Sequence, residues 1–563
     1  MSAELIARDD ERPWLASYPP GVPHQIDPDS VGTLVDLFDE SVRRYPDRPA
    51  LESFGKRITY AELASHAASV GSWLAAQGLA KGDRVAIMLP NVMAFPAILF
   101  GALMAGTSVV NVNPLYTPRE LSAQLRDSGS RIIFVLENFA HTVEAVLGEV
   151  SLDRVVVVTP GDLLGLKGAI VNFVSRHVKK AVPAYDLPKA VAFARVLKEG
   201  RGRPRVPVEV DPEDVAFLQY TGGTTGISKG ATLTHRNVAA NVMQCEAWMR
   251  PTLGDRQHVM VTALPLYHIF ALTCCCMLMA QLGACQILIA NPRDIPGFVK
   301  TLKGSRFTCL NGVNTLYNAL ARADGIREVD FSNLTIAVAG GMAMQAPVAE
   351  AWKALTGVPV VEGYGLSETS PVLTTNRLDI EAFSGHAGYP LPSTEVSIRI
   401  DGKPVPRGEP GELCVRGPQV MRGYWNRPDE TAKAMTEDGF FRTGDIVVMQ
   451  PDGAIRIVDR MKDMVLVSGF NVYPNEVEEV IASCPGIVEV AVVGLPDDRS
   501  GEAVTAYVVK APDGPDEKAL RAFCRERLAP YKVPSRVVFR DTLPKTNVGK
   551  VLRRALREET GVA

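Results

Sequence analysis

The segment Tyr220-Thr-Gly-Gly-Thr-Thr-Gly-Ile-Ser-Lys-Gly230 gathers four glycines, three threonines and one lysine behind the apolar run Val215–Leu218. Such a loop exposes backbone N–H groups, offers hydroxyl donors and supplies one cation, which are the parts of a phosphate cradle. It is not a Walker A loop, because Gly230 rather than Ser or Thr follows Lys229. Gly226-Ile-Ser-Lys-Gly230 also fits the Gly-x-Ser-x-Gly nucleophile elbow. An elbow turns straight out of its strand, however, and here the apolar run ends about five residues earlier, so Ser228 is the weaker candidate.

Other segments point the same way. Glu362-Gly-Tyr-Gly-Leu-Ser-Glu368 combines an aromatic, two glycines, a hydroxyl and carboxylates. Asp438-Gly-Phe-Phe-Arg-Thr-Gly-Asp445 ends in an acid beside a turn. Ile457-Val-Asp-Arg-Met-Lys-Asp463 precedes Val467-Ser-Gly-Phe-Asn-Val-Tyr-Pro474, and Leu543-Pro-Lys-Thr-Asn-Val-Gly-Lys550 lies close to the C-terminus. Each alone reads as an ordinary turn or surface lysine; their joint order is specific.

In that order the chain resembles the adenylate-forming (ANL) acyl-CoA synthetases, from near residue 30 to near 557. Within them it is most similar to the bacterial long-chain fatty-acid–CoA ligases, above all in Leu218–Asn237, Gly439–Pro474 and Pro544–Arg554. The resemblance implies two half-reactions. A carboxylate attacks the α-phosphate of Mg·ATP, giving acyl-adenylate and pyrophosphate, and the thiol of coenzyme A then displaces AMP.

It also implies roles. Thr221, Gly222, Gly223, Thr224, Thr225, Gly226 and Lys229 would hold the β- and γ-phosphates, and Glu368, a hard oxygen ligand, would hold Mg²⁺. Ser367 keeps a hydroxyl for the α-phosphate where relatives often have Thr. Tyr364, between Gly363 and Gly365, would stack on adenine, with Gly340 and Gly341 at the ring's other side. Asp445 would accept from the ribose hydroxyls, and Arg460 would donate to the same sugar. Lys550 is the expected catalytic cation, because carboxylate and phosphate repel until an ammonium bridges them. Lys462 occupies the hinge position, and Ser468, Gly469 and Phe470 would line the coenzyme A channel in the second step. Leu466 stands where some relatives carry a lysine, so no cation is assigned to thioester formation. His268 and Leu272 are placed at the acyl pocket, Leu272 where relatives with a tunnel carry an aromatic gate. The segment Ala271–Ala280, rich in small and flexible side chains, reads equally as tunnel wall or as helix packing.

The elements needed to position these residues are legible. Strand-like runs (Arg84–Leu89, Arg131–Leu136, Val155–Val158, Val215–Tyr220, Gln286–Ala290, Thr335–Ala339) alternate with amphipathic stretches such as Tyr60–Gln77 and Pro118–Asp127. That pattern predicts parallel sheets covered by helices. Thr59 and Glu62 have capping-box spacing, so a helix is expected to start there. After Ser393, short alternating segments (Glu395–Ile400, Gly411–Arg416, Ala454–Val458) separated by tight turns predict a β-rich region. Beyond Arg460, Asn475–Glu478 is expected to cap a helix, Val488–Val493 and Ala503–Lys510 to be strands, and Asp516–Leu528 to be helical. The fold class is thus α/β. A large N-terminal domain (1–458) of parallel-type sheets with helices carries a small β-barrel-like subdomain (about 390–458). A hinge (459–462) leads to a mobile α+β C-terminal domain (463–563).

The chain of 563 residues is 46% hydrophobic and 22% charged with net charge −3, which excludes a disordered or fibrous protein and a global polycation for nucleic acid. Lys518–Ala563 holds twelve Lys/Arg against four acids, and its scattered aromatics do not read as a stacking platform, which favours small phosphates over nucleic acid. Nine cysteines without a Cys-x-x-Cys pair, and an N-terminus without a signal-like apolar core, lead to the expectation of a reducing, cytoplasmic setting. Val85–Val112 and Ile269–Ala280 are apolar but broken or short, and read as buried elements rather than membrane spans. In Leu163–Lys180, the stripe Leu163, Leu166, Ile170, Phe173, Val174 and Val178 lies among Lys167, Arg176, Lys179 and Lys180. It reads either as a helix packed on its own domain or as an interfacial helix giving weak peripheral contact with the inner face of a membrane. A fatty acyl-AMP ligase serving a carrier protein, and a non-catalytic nucleotide- or membrane-binding relative, remain open alternatives.

Overall fold

The structure, a computed structural model, describes residues 12–201, 203, 208–221, 228–468, 470–497, 500–546 and 549–559. Gly222, Gly223, Thr224, Thr225, Gly226 and Gly469, all singled out from the sequence, lie outside the described residues.

The alternation of apolar runs and amphipathic stretches builds two large sheets. In an eight-stranded sheet the central strands Ser108–Asn111, Arg84–Met88, Ile132–Leu136 and Arg154–Val158 run parallel, with Val215–Thr221 beside Ser108–Asn111. Val215–Thr221 then returns as the antiparallel strand Lys229–Thr234, bracketing the glycine-rich loop. A nine-stranded sheet carries Val360–Gly365, Ile336–Gly340, Cys309–Gly312, Val259–Thr262 and Cys285–Leu288 in parallel neighbouring positions. Strands in this setting are buried on both faces, hence the continuous Val/Ile/Leu runs. The apolar stretch from Val85 resolves into a strand, the helix Ala94–Met104 and a second strand; that helix is hydrophobic all round and every residue of it is buried. Thr59 caps the helix Tyr60–Ala76 in a reciprocal capping box with Glu62, as its spacing predicts.

A five-stranded antiparallel sheet follows, with Glu395–Ile400, Gly411–Arg416, Phe441–Met449 and Ile455–Arg460 as its main strands. After the turn at Met461–Asp463 the chain enters another sheet, whose long hairpin Ile487–Asp497/Gly501–Lys510 is covered by the helices Pro474–Ala482 and Glu517–Arg525. This last unit has its own apolar core of Val465, Val477, Val492, Val508, Leu520 and Cys524 among others. One local expectation is corrected: Asn475 does not cap its helix. Pro474 opens the helix, Tyr473 is the capping residue, and Asn475 sits inside the first turn, where its N–H donates to Asp459 at 2.8 Å.

Candidate active site

A cavity of about 790 Å³ opens between the two large sheets, the antiparallel sheet and the C-terminal unit, within the size range of small-molecule sites. It is lined by Thr221, Lys229, His268, Gly340, Gly341, Gly363, Tyr364, Gly365, Ser367, Glu368, Asp445, Arg460, Lys462 and Lys550. Residues chosen from separate segments of sequence therefore meet in one space.

The polar groups on the N-terminal side are held by one another. Tyr364 donates its hydroxyl proton to Asp445 Oδ2 at 2.6 Å, and Arg460 Nε lies 3.2 Å from Asp445 Oδ1. Asp445 is almost fully buried. Burial and the Asp445 charge push the Tyr364 hydroxyl well above its ordinary pKa, so it stays a donor. Gly340 and Gly363 are register partners on adjacent parallel strands, so two residues without side chains sit side by side at the cavity wall.

Glu368 is buried and accepts from the Tyr424 hydroxyl at 2.8 Å through Oε1. The Lys229 ammonium lies 5.2 Å above the same Tyr424 ring and pairs with Glu430, which also holds Lys433 at 2.8 Å. Tyr424 thus joins the carboxylate to the lysine of the glycine-rich hairpin, a link the sequence reading missed. Its signal was present in Gly423-Tyr-Trp-Asn, where an aromatic pair sits in a turn. Ser228 donates to the carbonyl of Thr221 at 2.7 Å, closing the base of the loop rather than presenting a nucleophile.

Lys550 comes from the C-terminal unit. Its hairpin is closed by the bridge Lys545–Val551 and by Thr546 N–H donating to Lys550 O at 2.6 Å. The lysine passes against Gly341, which has φ +79; a Cβ at Gly341 would lie 3.2 Å from Lys550 Cε. Glycine serves both the left-handed backbone and the close approach. Burial and the nearby Arg460 charge lower the Lys550 pKa to about 8. His268 caps its helix by accepting from Phe270 N–H at Nδ1, 3.3 Å away. Burial, with the Lys550 charge, holds His268 neutral at about 3.

The apolar branch of the cavity is walled by Cys245, Trp248 and Met249, by Cys274 and Leu278, and by Val372 and Leu378. Leu272 is corrected: it is fully buried and not part of the lining. The segment Leu272–Met277 is a π-helix, which widens the turn and shifts the phase so that Cys274 and Leu278 face the cavity. Cys275, Cys276, Met277 and Met279 of Ala271–Ala280 pack into the core, while Cys274 and Leu278 line the cavity. Cys245, Trp248 and Met249 were missed, because a helix face at i, i+3, i+4 carries no chemical marker in the sequence.

Ser468 and Phe470 lie on an exposed hairpin, where Phe470 stacks on Tyr531 at 4.9 Å; neither lines the cavity in this arrangement. Among the described residues no group of three or more His, Cys, Asp or Glu forms a metal cage. The donors present, the Glu368 carboxylate and the Thr221 hydroxyl, suit a Mg²⁺ ion that keeps most of its ligands from phosphates and water.

The chain is 52% identical over 549 residues to the long-chain-fatty-acid–CoA ligase of Escherichia coli O6:H1, covering 97% of this chain and 98% of the relative. ATP-bound MatB of Rhodopseudomonas palustris superposes with TM-score 0.80 at 30% identity, covering 93% of this chain and 98% of that one. The same protein in its apo form, with the same identity and coverage, reaches 0.72. The family model for AMP-binding enzymes matches residues 38–425, and that for their C-terminal domain matches 476–550. The chain belongs to the family of AMP-binding enzymes.

Proposed function

We propose that this protein is an ATP-dependent long-chain fatty-acid–CoA ligase. It joins a fatty acid to AMP with release of pyrophosphate, then exchanges AMP for the thiol of coenzyme A. The observation that carries this reading is the entry of Lys550 into the same cavity as Glu368, Asp445 and the Thr221/Lys229 hairpin, with an apolar branch leading away. ATP, Mg²⁺ and coenzyme A are the substrates and cofactor of AMP-forming acyl-CoA ligases.

On this reading Asp445 and Arg460 hold the ribose, Tyr364 on one side and the Gly340-Gly341 backbone on the other flank the adenine, and Ser367 meets the α-phosphate. Thr221 and Lys229 hold the leaving pyrophosphate together with the glycine-rich loop. Bound Mg²⁺, held by Glu368 and the phosphates, neutralises phosphate charge. Lys550 spans the incoming carboxylate and the α-phosphate, and a neutral His268 shapes the acyl end without adding charge of its own. The fatty chain occupies the branch between Trp248, Met249 and Leu278, where each buried CH₂ contributes roughly 0.8 kcal/mol.

The arrangement corresponds to the first half-reaction, and the better match to ATP-bound than to apo MatB supports this. For the second, residues 463–563 turn about a hinge at 459–462 centred on Lys462, bringing Ser468, Gly469 and Phe470 to the cavity as the coenzyme A channel. The enzyme works in the cytoplasm, with weak peripheral contact at the inner face of the membrane, where its substrate partitions. The test separates the halves: Lys550→Ala should abolish pyrophosphate release from fatty acid and ATP while leaving thioester formation from supplied acyl-adenylate. Equal loss of both sinks the assignment. AMP formation that stays low until coenzyme A is added, across C4–C18 acids, distinguishes the ligase from a fatty acyl-AMP ligase and reads the depth of the branch.

A further inference from the structure

The stretch 163–180 folds as the helix Leu166–Phe173 continued by the π-helix Val174–Val178. Four of the six stripe residues face away from the protein, while Leu163 packs on the core and Val174 is half-buried. Leu166 is 95% exposed, Ile170 66%, Phe173 59% and Val178 65%, and Leu166 exceeds every other exposed large hydrophobic residue among those described. The inward side carries Gly168 and Asn172 together with Val171. Gly168 is buried against the backbone of Gly161 so closely that a Cβ would lie 2.2 Å from the Gly161 carbonyl oxygen. Asn172 accepts from Gly161 N–H at 2.8 Å and donates to Thr159 Oγ1 at 3.0 Å. An ordinary surface helix buries its largest apolar side chains; this one is clipped down through Gly168, Val171 and Asn172 and presents Leu166, Ile170, Phe173 and Val178.

A second element extends the patch. The hairpin Pro49–Ser53/Lys56–Thr59 ends in Phe54 and Gly55; Phe54 is 58% exposed with φ 48°, and a Cβ on Gly55 would lie 3.6 Å from Lys167 Nζ. An aromatic ring is thus offered beside the start of the helix from a separate turn. No Asp or Glu occurs between Asp162 and Asp186, whereas Lys167, Arg176, Lys179 and Lys180 fall within that span. Lys167, Lys179 and Lys180 are exposed, and Arg176 is half exposed while paired with the buried Glu137 at 2.6 Å. No helix among the described residues is long and apolar enough to cross a membrane.

We propose that Leu166, Ile170, Phe173, Val178 and Phe54, ringed by these lysines, form a docking surface for an anionic lipid bilayer. The apolar side chains enter the headgroup boundary while the lysines meet lipid phosphates, the mode of an interfacial helix. The surface deepens the functional reading by naming where a membrane-partitioned acid would be met, but it stands on the exposed patch and not on the chemistry of the cavity.

The test sediments the full chain with phosphatidylglycerol/phosphatidylethanolamine vesicles and with phosphatidylcholine vesicles, at low and high salt. The variants are Ile170→Ser/Phe173→Ser and Lys179→Glu/Lys180→Glu, whose side chains support nothing in the core. The wild type should co-sediment with the anionic vesicles at low salt, and each double variant should lower the partition coefficient about tenfold. Pyrophosphate release on soluble octanoate without vesicles should stay within about twofold of wild type in both variants. The proposal is overturned if the wild type stays in the supernatant, if the variants bind as well as it does, or if neutral vesicles bind equally well. It is also overturned if gel filtration gives a dimer that the Ile170/Phe173 variant dissociates while vesicles bind nothing, because a second copy would then cover the patch. Failure of pyrophosphate release in the wild type would strike the ligase reading and leave the sedimentation result standing.

Discussion

The two sides of the cavity are built differently. On the N-terminal side the polar groups restrain one another: Tyr364, on the nine-stranded sheet, to Asp445 of the antiparallel sheet, Asp445 to Arg460 on the adjacent strand that leads into the hinge, and Tyr424 to Glu368. On the C-terminal side Lys550 arrives on a short hairpin with few anchors. Thr315 Oγ1 donates to Gly549 O at 3.1 Å, and Asn318 Nδ2 donates to Val488 O at 3.3 Å. Elsewhere Arg553 pairs within the C-terminal unit with Glu478 at 2.8 Å and Asp463 at 3.6 Å, and reaches the antiparallel sheet through Asp459 at 3.9 Å. Donors that must already point at a developing charge belong on a rigid frame. A cation needed in only one half-reaction belongs on polar contacts that can be broken and remade without exposing apolar surface.

The comparison breaks first at Lys550. If the cation acts only in adenylation, Lys550→Ala should lower the rate of pyrophosphate release by about 10³-fold, the size expected for losing a preorganised charge at a transition state. Asp445→Ala, on the rigid side, should instead weaken both half-reactions, since AMP is held in both. Single-turnover measurements with ATP plus acid, and with acyl-adenylate plus coenzyme A, check the contrast. A Lys550 variant that damages both alike would mean the C-terminal side is as fixed as the other.

Next is Arg553. Its removal leaves Glu478, Asp463 and the buried Asp459 without their common partner, and Asp459 is already pushed up to about 6 by burial. Breaking a buried pair costs about 3 kcal/mol or more. Arg553→Ala should therefore lower the stability of residues 463–559 specifically, seen as an early phase in thermal unfolding and as faster proteolysis near Asp459–Asp463. One unfolding transition shifted as a whole would show the two sides to be a single rigid unit.

How much of this was legible in the sequence follows the same division. Asp445, Glu368 and Lys550 were singled out only through the joint order of motifs that the family resemblance rests on, since each segment alone reads as an ordinary turn or surface lysine, and the structure brings all three to one cavity. Tyr424, Glu430 and Arg553 were not, because their importance arises from partners that the fold alone brings near. Leu272 was placed by the resemblance, at the position of a gate in relatives with a tunnel, and a family position does not show that Leu272–Met277 is a π-helix that turns Cys274 and Leu278 rather than Leu272 to the cavity. For 163–180 the apolar stripe was readable and its direction was not, since Gly168 and Asn172 decide it through a contact with Gly161.

The third prediction uses pH. Burial beside Arg460 lowers the Lys550 ammonium to about 8. A lysine must be protonated to bridge two anions, so kcat/KM for adenylation should be level below pH 8 and fall about tenfold per unit above it. Lys550→Arg, which stays charged throughout, should be slower at pH 7 and lose the alkaline limb. Thioester formation from acyl-adenylate should show no limb that the Arg variant removes. An alkaline limb unchanged in Lys550→Arg would assign it to another group.

The smallest effect concerns the frame. Tyr424 donates to Glu368 Oε1 at 2.8 Å while its ring lies 5.2 Å beneath the Lys229 ammonium. Tyr424→Phe keeps the ring and the packing but removes the donor. A hydrogen bond to a charged acceptor contributes about 1.5 kcal/mol, and part of that returns when water reaches Glu368, so adenylation should slow about fivefold. Because Glu368 would still be present but less well oriented, the loss should appear chiefly as a raised Mg²⁺ requirement, with kcat recovering at high Mg²⁺. Tyr424→Leu, which also removes the surface under Lys229, should raise the KM for ATP in addition. If Tyr424→Phe lowered kcat at all Mg²⁺ concentrations alike, the tyrosine would touch the reacting groups directly, and the rigid side would contain a catalytic member as well as a positioning one.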